Sequence, residues 1–302
     1  MLTGRHFVFI GGDLRQLEVI RQVVDNDASV HLIGFDKCRE SFVDTSHAQL
    51  KEDVLHQADA IVLPVAGMDD DGMVTSRFST APIRLEEHHF SQMRTGTKIF
   101  TGIAGSKLSS WAEKFHLDLI RLMERDDVAI LNSIPTAEGA IALAMEKTSV
   151  TIHGSLVTLL GFGRCGRTLA RTLHALGAKV EVCARHPDDL ARIREMGMVA
   201  RPMRDLVESV RRADIVFNTI PSMVLPASVL KEMRVDCVII DIASKPGGTD
   251  FRYAERRGMT AILTPSLPGM VAPKTAGQII AASVCELMNA DDLVENWKEE
   301  SV

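Results

Sequence analysis

Short apolar runs recur along this chain, and the stretches between them carry apolar residues at helical spacing. In the N-terminal half the runs are 7–10, 30–33, 60–63, 98–100 and 128–131, the third stopped by Pro64. Leu14, Leu17, Ile20 and Val24 mark one helical face after the first run, and residues 108–123 read as another helix. In the C-terminal half strands are predicted at 156–160, around Val180 and Val182, and at 199–201, 214–218, 237–241 and 260–263. Helical stretches at 188–196 and 206–213 separate some of them. Strands that are apolar throughout are those of a parallel sheet buried on both faces. Strand and helix in alternation therefore predict two α/β domains, 1–135 and 151–273.

Residues 136–150 are expected to be a connecting helix and linker. Pro135 should keep Ile134 out of that helix, and Thr136 can cap it. A last helix opens at Lys274 and is expected to run to about Met288, with Ile280, Val284 and Leu287 on one face. By analogy with two-domain enzymes, it is expected to pack back on the first domain. The acidic tail 291–302 is expected to fray.

The chain is organised around Gly161-Phe162-Gly163-Arg164-Cys165-Gly166, which follows the run 156–160 and opens a helical pattern at Leu169, Leu173 and Leu176. Strand, glycine turn, helix and second strand within about 30 residues is the context that makes GxGxxG informative. Gly161 permits the tight turn, Gly163 lets the backbone approach a pyrophosphate, and Gly166 lets the helix pack close to the strand. The amides at the helix start face the anion. Six strands then predict a Rossmann dinucleotide-binding domain of order 3-2-1-4-5-6. For the first domain, length and strand count predict a flavodoxin-like parallel sheet. Its loop Gly11-Gly12-Asp13-Leu14-Arg15-Gln16 lacks the third glycine and reads as ligand-facing.

The second strand of the nucleotide unit ends in Arg185, where NAD enzymes usually place an acid on the ribose 2′-hydroxyl. Arginine suits a 2′-phosphate instead, so NADP is the expected cofactor. The alternative is a solvated arginine in an NAD protein. Ligands of such sheets bind beyond the carboxyl ends of the strands, which brings Thr219, Ile220, Pro221 and Ser244 to the cofactor.

Composition narrows the field. The chain has 302 residues, 46% of them hydrophobic, and a net charge of −6, which argues against a nucleic-acid surface. No apolar run approaches the 18 or so residues of a membrane span, and no leader is evident, so a cytoplasmic protein is expected. The five cysteines are scattered, as expected for reduced thiols. Cys165 reads as a small residue in the turn, with a lowered thiol pKa open at the helix start. The acidic stretch Asp69-Asp70-Asp71-Gly72 lacks EF-hand spacing, no HExxH occurs, and no GxSxG elbow is present. No metal is expected.

Six stretches together resemble the dipicolinate synthase A-subunit family. They are Gly11-Gly12-Asp13-x-Arg15-Gln16, Ile134-Pro135-Thr136-Ala137-Glu138-Gly139, the glycine turn, Asn218-Thr219-Ile220-Pro221, Asp241-x-Ala243-Ser244-x-Pro246-Gly247-Gly248, and Leu267-Pro268-Gly269 with Pro273-Lys274-Thr275-Ala276-Gly277. The resemblance covers nearly the whole chain. It implies NADP-linked oxidation of a dihydro- or 4-hydroxytetrahydro-dipicolinate to pyridine-2,6-dicarboxylate. It also implies a flavoprotein-like partner, the dipicolinate synthase B subunit, and synthesis in the mother cell during sporulation. A homo-oligomer is expected as well.

Such an oxidation removes a hydride and a proton, and two substrate carboxylates need cationic or N–H donors. Arg15, Lys245 and Lys274 are candidates for the carboxylates, and each is equally readable as a surface cation. Asp13 and Glu138 are candidates for proton transfer, although Glu138 also suits the N-terminal charge pattern of a helix. Residues 136–139 are expected to form a hinge flooring a substrate cleft. Two other readings stay open: a dehydrogenase of 2-hydroxy or 2-amino acids, and a non-catalytic NADP-binding subunit. The late loops contain no histidine, which counts against the first.

Overall fold

The computed structural model describes residues 1–299, which divide into two compact units. Unit 1 comprises Met1–Ala129 and Pro273–Val302, and unit 2 comprises Ile130–Ala272. In unit 1 the order is β1 (His6–Ile10), α1 (Leu14–Asp25), β2 (Ser29–Ile33), β3 (Thr45–His47), α2 (Glu52–Gln57) and β4 (Ala60–Val62). A small hairpin of β5 (Met73–Val74) and β6 (Ile83–Arg84) follows, then α3 (Glu87–Ser91), β7 (Lys98–Thr101), α4 (Ser106–Lys114) and β8 (Asp118–Arg121). The long α5 (Asp126–Lys147) spans the boundary between the units.

Unit 2 continues with β9 (Leu156–Leu160), α6 (Arg164–Ala175), β10 (Lys179–Ala184), α7 (Pro187–Glu195), β11 (Val199–Pro202) and α8 (Leu206–Val210). It closes with β12 (Ile215–Asn218), α9 (Ala227–Leu230), β13 (Val238–Asp241), α10 (Phe251–Arg256), β14 (Ala261–Leu263) and α11 (Leu267–Val271). The chain then returns to unit 1 as α12 (Pro273–Glu299).

Each unit holds a six-stranded parallel sheet. In unit 2 the order is β11-β10-β9-β12-β13-β14, the 3-2-1-4-5-6 arrangement expected. In unit 1 it is β3-β2-β1-β4-β7-β8. The five strands from β2 to β8 keep the flavodoxin-like order, and the polar β3 adds an edge. In β1, Phe7 and Phe9 enter the core on one face while Val8 and Ile10 enter the core on the other. In unit 2, Ile215 and Phe217 of β12 face one core and Val216 the other. The central strands of both sheets are thus buried on both faces, which is why they read as unbroken apolar runs.

Three expectations are corrected. The stretch 108–123 is not one helix: α4 ends at Lys114, and the chain returns as β8. The run 128–131 is not a strand; it lies in α5, and β8 takes the fifth place. Pro135 sits inside α5 rather than before a helix, and 136–139 is continuous helix. Thr136 therefore caps nothing. Its hydroxyl donates to the Asn132 carbonyl at 2.8 Å, and that of Ser133 donates to the Ile130 carbonyl at 2.6 Å. These carbonyls flank the one that Pro135 leaves without its helical amide partner.

α5 is also long and apolar enough to cross a membrane by length and composition, which the pattern of apolar runs does not anticipate. Half of its apolar window is buried, and Ala137, Ala140, Ile141 and Ala144 belong to the core of unit 2. These contacts are those of a core helix.

α12 packs on α1. Ile280, Ala281, Val284 and Met288 share a core with Leu17 and Ile20. Gly277 allows the approach, since a Cβ there would lie 2.5 Å from the Arg15 carbonyl oxygen. The helix runs on to Glu299 instead of stopping near Met288; of the tail expected to fray, residues 300–302 lie outside the described residues.

Candidate functional site

The glycine turn joins β9 to α6, and its three glycines answer to different causes. Gly161 has φ 95°, the left-handed region, and a Cβ there would sit 2.4 Å from Thr219 Oγ1. A Cβ on Gly166 would sit 2.4 Å from the carbonyl oxygen of Gly161, so helix and turn touch backbone to backbone. Gly163 differs. Its φ of −75° and ψ of −162° suit any residue, and a Cβ there would meet no atom within 4 Å. The fold itself requires glycine at 161 and 166. At 163 it makes no such demand, which leaves the position open to a group approaching from outside the chain.

Gly163 is also the N-cap of α6 and supplies no side-chain acceptor to the first amides of that helix. An anion at the turn would receive those amides and the positive end of a 12-residue helix. The residues present therefore fit a dinucleotide pyrophosphate.

Beside the turn lies a cleft of about 490 Å³. Gly161, Phe162 and Gly163 line it from the turn, Arg185 from the end of β10, and Ile220 and Pro221 from the end of β12. Arg185 is exposed there. Of the other residues expected at the cofactor, Arg164, Cys165, Gly166, Thr219 and Ser244 do not line this cleft. Arg164 and Gly166 shape the start of α6. Thr219 ties the end of β12 to that of β9, its hydroxyl and amide donating to the Leu160 carbonyl at 2.9 and 3.0 Å. For Cys165 the reading as a small residue is kept and the alternative of a lowered thiol pKa is not: burial pushes the pKa up, and the nearby Arg164 charge does not reverse this. Arg167, His186, Asp189 and Met203 also line the cleft and were not singled out from sequence.

The end of β13 is a built loop. Asp241 is fully buried and accepts from the Ala243 amide at 3.1 Å, the Gly248 amide at 2.8 Å and the Thr249 hydroxyl at 2.8 Å. Buried Asn218 donates to the Ile220 carbonyl and accepts from the Ile220 amide, both at 3.0 Å. Gly248 must be glycine, since a Cβ would meet the Ser222 carbonyl oxygen at 2.5 Å. These bonds hold Ser244 and Lys245 exposed at the carboxyl end of the sheet.

In unit 1, Asp13 caps α1 and accepts from the Arg15 amide at 2.9 Å. The Arg15 guanidinium clamps the same carboxylate, through Nε at 3.0 Å and Nη2 at 2.6 Å. Burial raises the Asp13 pKa, but the hydrogen bonds and charge of Arg15, with Arg77 adding, hold it below the ordinary carboxylate value. Arg15 is buried, so the pair is a fixed element of the loop after β1. Glu138 lies exposed on α5 and Lys274 exposed at the start of α12. Among the described residues no group of three or more histidine, cysteine or acidic side chains is arranged to hold a metal ion.

Comparison with known proteins agrees with this geometry. Residues 6–123 match the N-terminal domain of the dipicolinate synthase A subunit, and residues 134–244 match the NAD-binding domain of D-isomer specific 2-hydroxyacid dehydrogenases. The chain is 47% identical over 95% of its length to the dipicolinate synthase A subunit of Bacillus subtilis (strain 168), 97% of which is covered. The crystal structure of the dipicolinate synthase A subunit from Bacillus halodurans superposes with a TM-score of 0.93 at 47% identity, covering 95% of this chain and 99% of that one. A transhydrogenase from Sinorhizobium meliloti shares the fold at a TM-score of 0.68 and 14% identity, over 95% of each chain. The glycine turn thus lies in a dehydrogenase-type domain for a nicotinamide dinucleotide, and the chain belongs to the dipicolinate synthase A-subunit family.

Proposed function

We propose that this chain is the dinucleotide-dependent oxidoreductase of dipicolinate formation. It would oxidise a dihydro-dipicolinate, or a 4-hydroxytetrahydro-dipicolinate once it has lost water, to pyridine-2,6-dicarboxylate with NADP, together with a second subunit, in the mother cell during sporulation. The observation that carries the reading is likeness along 95% of the chain to a named dipicolinate synthase component, joined to a glycine turn whose middle glycine the fold itself does not require. Arg185 at the cleft supports NADP, because no acid stands at the end of β10 to repel a 2′-phosphate.

Bound at the turn, the oxidised dinucleotide supplies the hydride acceptor. The amides that open α6 hold its pyrophosphate. The loops after β12 and β13, fixed by Asn218 and Asp241, set Ile220, Pro221 and Ser244 at the carboxyl edge of the sheet. Oxidation removes a proton as well as a hydride, and gain of ring aromaticity drives it. Glu138 and Asp13 are the proposed proton acceptors; Arg15 keeps Asp13 ionised but makes it a weaker base than an ordinary carboxylate. Lys245 and Lys274 are the proposed partners of the substrate carboxylates, with Arg15 as a third.

The test is dipicolinate formation with the purified chain alone and then with the second subunit, each with NADP and with NAD. The reading expects ring absorbance to appear with NADP and to need the second subunit for full rate. A 2-hydroxy or 2-amino acid oxidised faster than the cyclic dicarboxylate would replace it.

A further inference from the structure

Among the described residues lining the cleft, Asp189 is the one acid, and it stands with Arg167, Arg185 and His186. Its position has a local cause: it lies in the first turn of α7, where a carboxylate favours the helix end. That helix begins directly after Arg185 and His186. A bare acid here would play the part of the acid that NAD enzymes carry beyond their second strand, and would oppose a 2′-phosphate.

Asp189 is not bare. Arg167 Nη2 donates to its Oδ1 at 2.9 Å. The same guanidinium donates through Nε to the Phe162 carbonyl at 3.0 Å and lies over the buried Phe162 ring, 5.3 Å from its centroid. One arginine is thus fixed at three points and straps the glycine turn to the helix that follows Arg185. An exposed ion pair alone contributes little stability. This one is placed to change the charge that the cleft presents.

We infer that Arg167 is a positioning residue for cofactor choice: it neutralises Asp189, so that Arg185 and His186 meet a 2′-phosphate without a competing acid. The inference rests on the NADP reading of the cleft. It also explains how an acid is tolerated beside Arg185 in a cleft that would receive an anion.

Fluorescence titration of NADP and NAD against the full-length chain tests it, using the wild type, Arg167→Leu, and Arg167→Leu combined with Asp189→Asn. Unpairing a carboxylate near an exposed phosphate dianion should cost about tenfold in NADP affinity, with little change for NAD. Removing that carboxylate should restore the wild-type preference in the double variant. Arg167→Lys, which keeps a charge beside Asp189, should retain most of the preference. Equal losses for both cofactors in Arg167→Leu would overturn the inference. A double variant as poor for NADP as Arg167→Leu would overturn it too, since the guanidinium would then be touching the phosphate itself. A wild type that binds NAD as tightly as NADP would remove the cofactor reading and this inference with it, whereas the first two results leave that reading standing.

Discussion

Gly163→Val separates what the fold requires of the glycine turn from what a ligand requires. The backbone at 163 is extended and open to any residue, and a Cβ meets no protein atom within 4 Å. The change should therefore cost the fold only the difference between a glycine and a branched N-cap, about 1 kcal/mol, or a shift in melting of about 2–4 °C. Binding is another matter. A branched side chain holds a pyrophosphate away from the amides of α6, and each charge-assisted hydrogen bond lost is worth about 1.5–3 kcal/mol. Losing two of them weakens dinucleotide binding by more than about a hundredfold. Gly166→Val is the contrast: its Cβ would lie 2.4 Å from a backbone oxygen, so it should melt far earlier or fail to fold. Far-UV circular dichroism and melting report the fold, and cofactor fluorescence reports binding. Normal binding by Gly163→Val would refute the cradle. Collapse of its melting curve would refute the claim that the fold does not need this glycine.

Five further substitutions extend the test. Arg185→Asp should weaken NADP about ten- to a hundredfold more than NAD in parallel titrations, and equal losses would take Arg185 out of the 2′-phosphate site. Asp241→Ala leaves three buried donors without an acceptor, at about 1–3 kcal/mol each, so melting should fall sharply and cofactor affinity with it; an unchanged melting curve would show that the loop after β13 does not depend on this carboxylate. Asp13 has a folded pKa below its unfolded value, so it adds stability above the unfolded value that is lost as pH falls below about 3.9 through the depressed folded one; melting against pH should lose part of that acid slope in Asp13→Asn, and identical slopes would contradict the Arg15 clamp. Arg15→Ala and Glu138→Gln should leave NADP affinity intact and lower dipicolinate formation with the second subunit present; unchanged rates in both would move the chemistry away from these residues.

The second domain was legible because its central strands are apolar runs and its glycine turn names its own context. All six strands fall where they are predicted, four of them on apolar runs whose ends match within a residue or two. The first domain was read less well, for physical reasons. The run 128–131 is four residues long, and an apolar run of that length does not tell a strand from a turn of buried helix. β3 is Thr45-Ser46-His47 and carries no hydrophobic signal, while β5 and β6 have two residues each. Pro135 misled because the helix runs through it, held by the core contacts of Ala137, Ala140, Ile141 and Ala144, which no local propensity rule anticipates. At the site, Gly161, Gly163, Gly166 and Arg185 could be read from spacing. The Arg167–Asp189 bridge joins residues 22 apart on different helices, and the Asp13–Arg15 clamp depends on side-chain direction, so neither left a pattern in the chain.

The most direct measurement of the central claim is stoichiometric. With a cyclic dihydro-dicarboxylate substrate and the second subunit present, reduced dinucleotide and pyridine-2,6-dicarboxylate are followed together by ultraviolet absorbance, for the wild type and for Gly163→Val. The account predicts equimolar appearance of the two products with the wild type and neither with the variant. Dipicolinate formed at the same rate by Gly163→Val, or without any dinucleotide added, would contradict it.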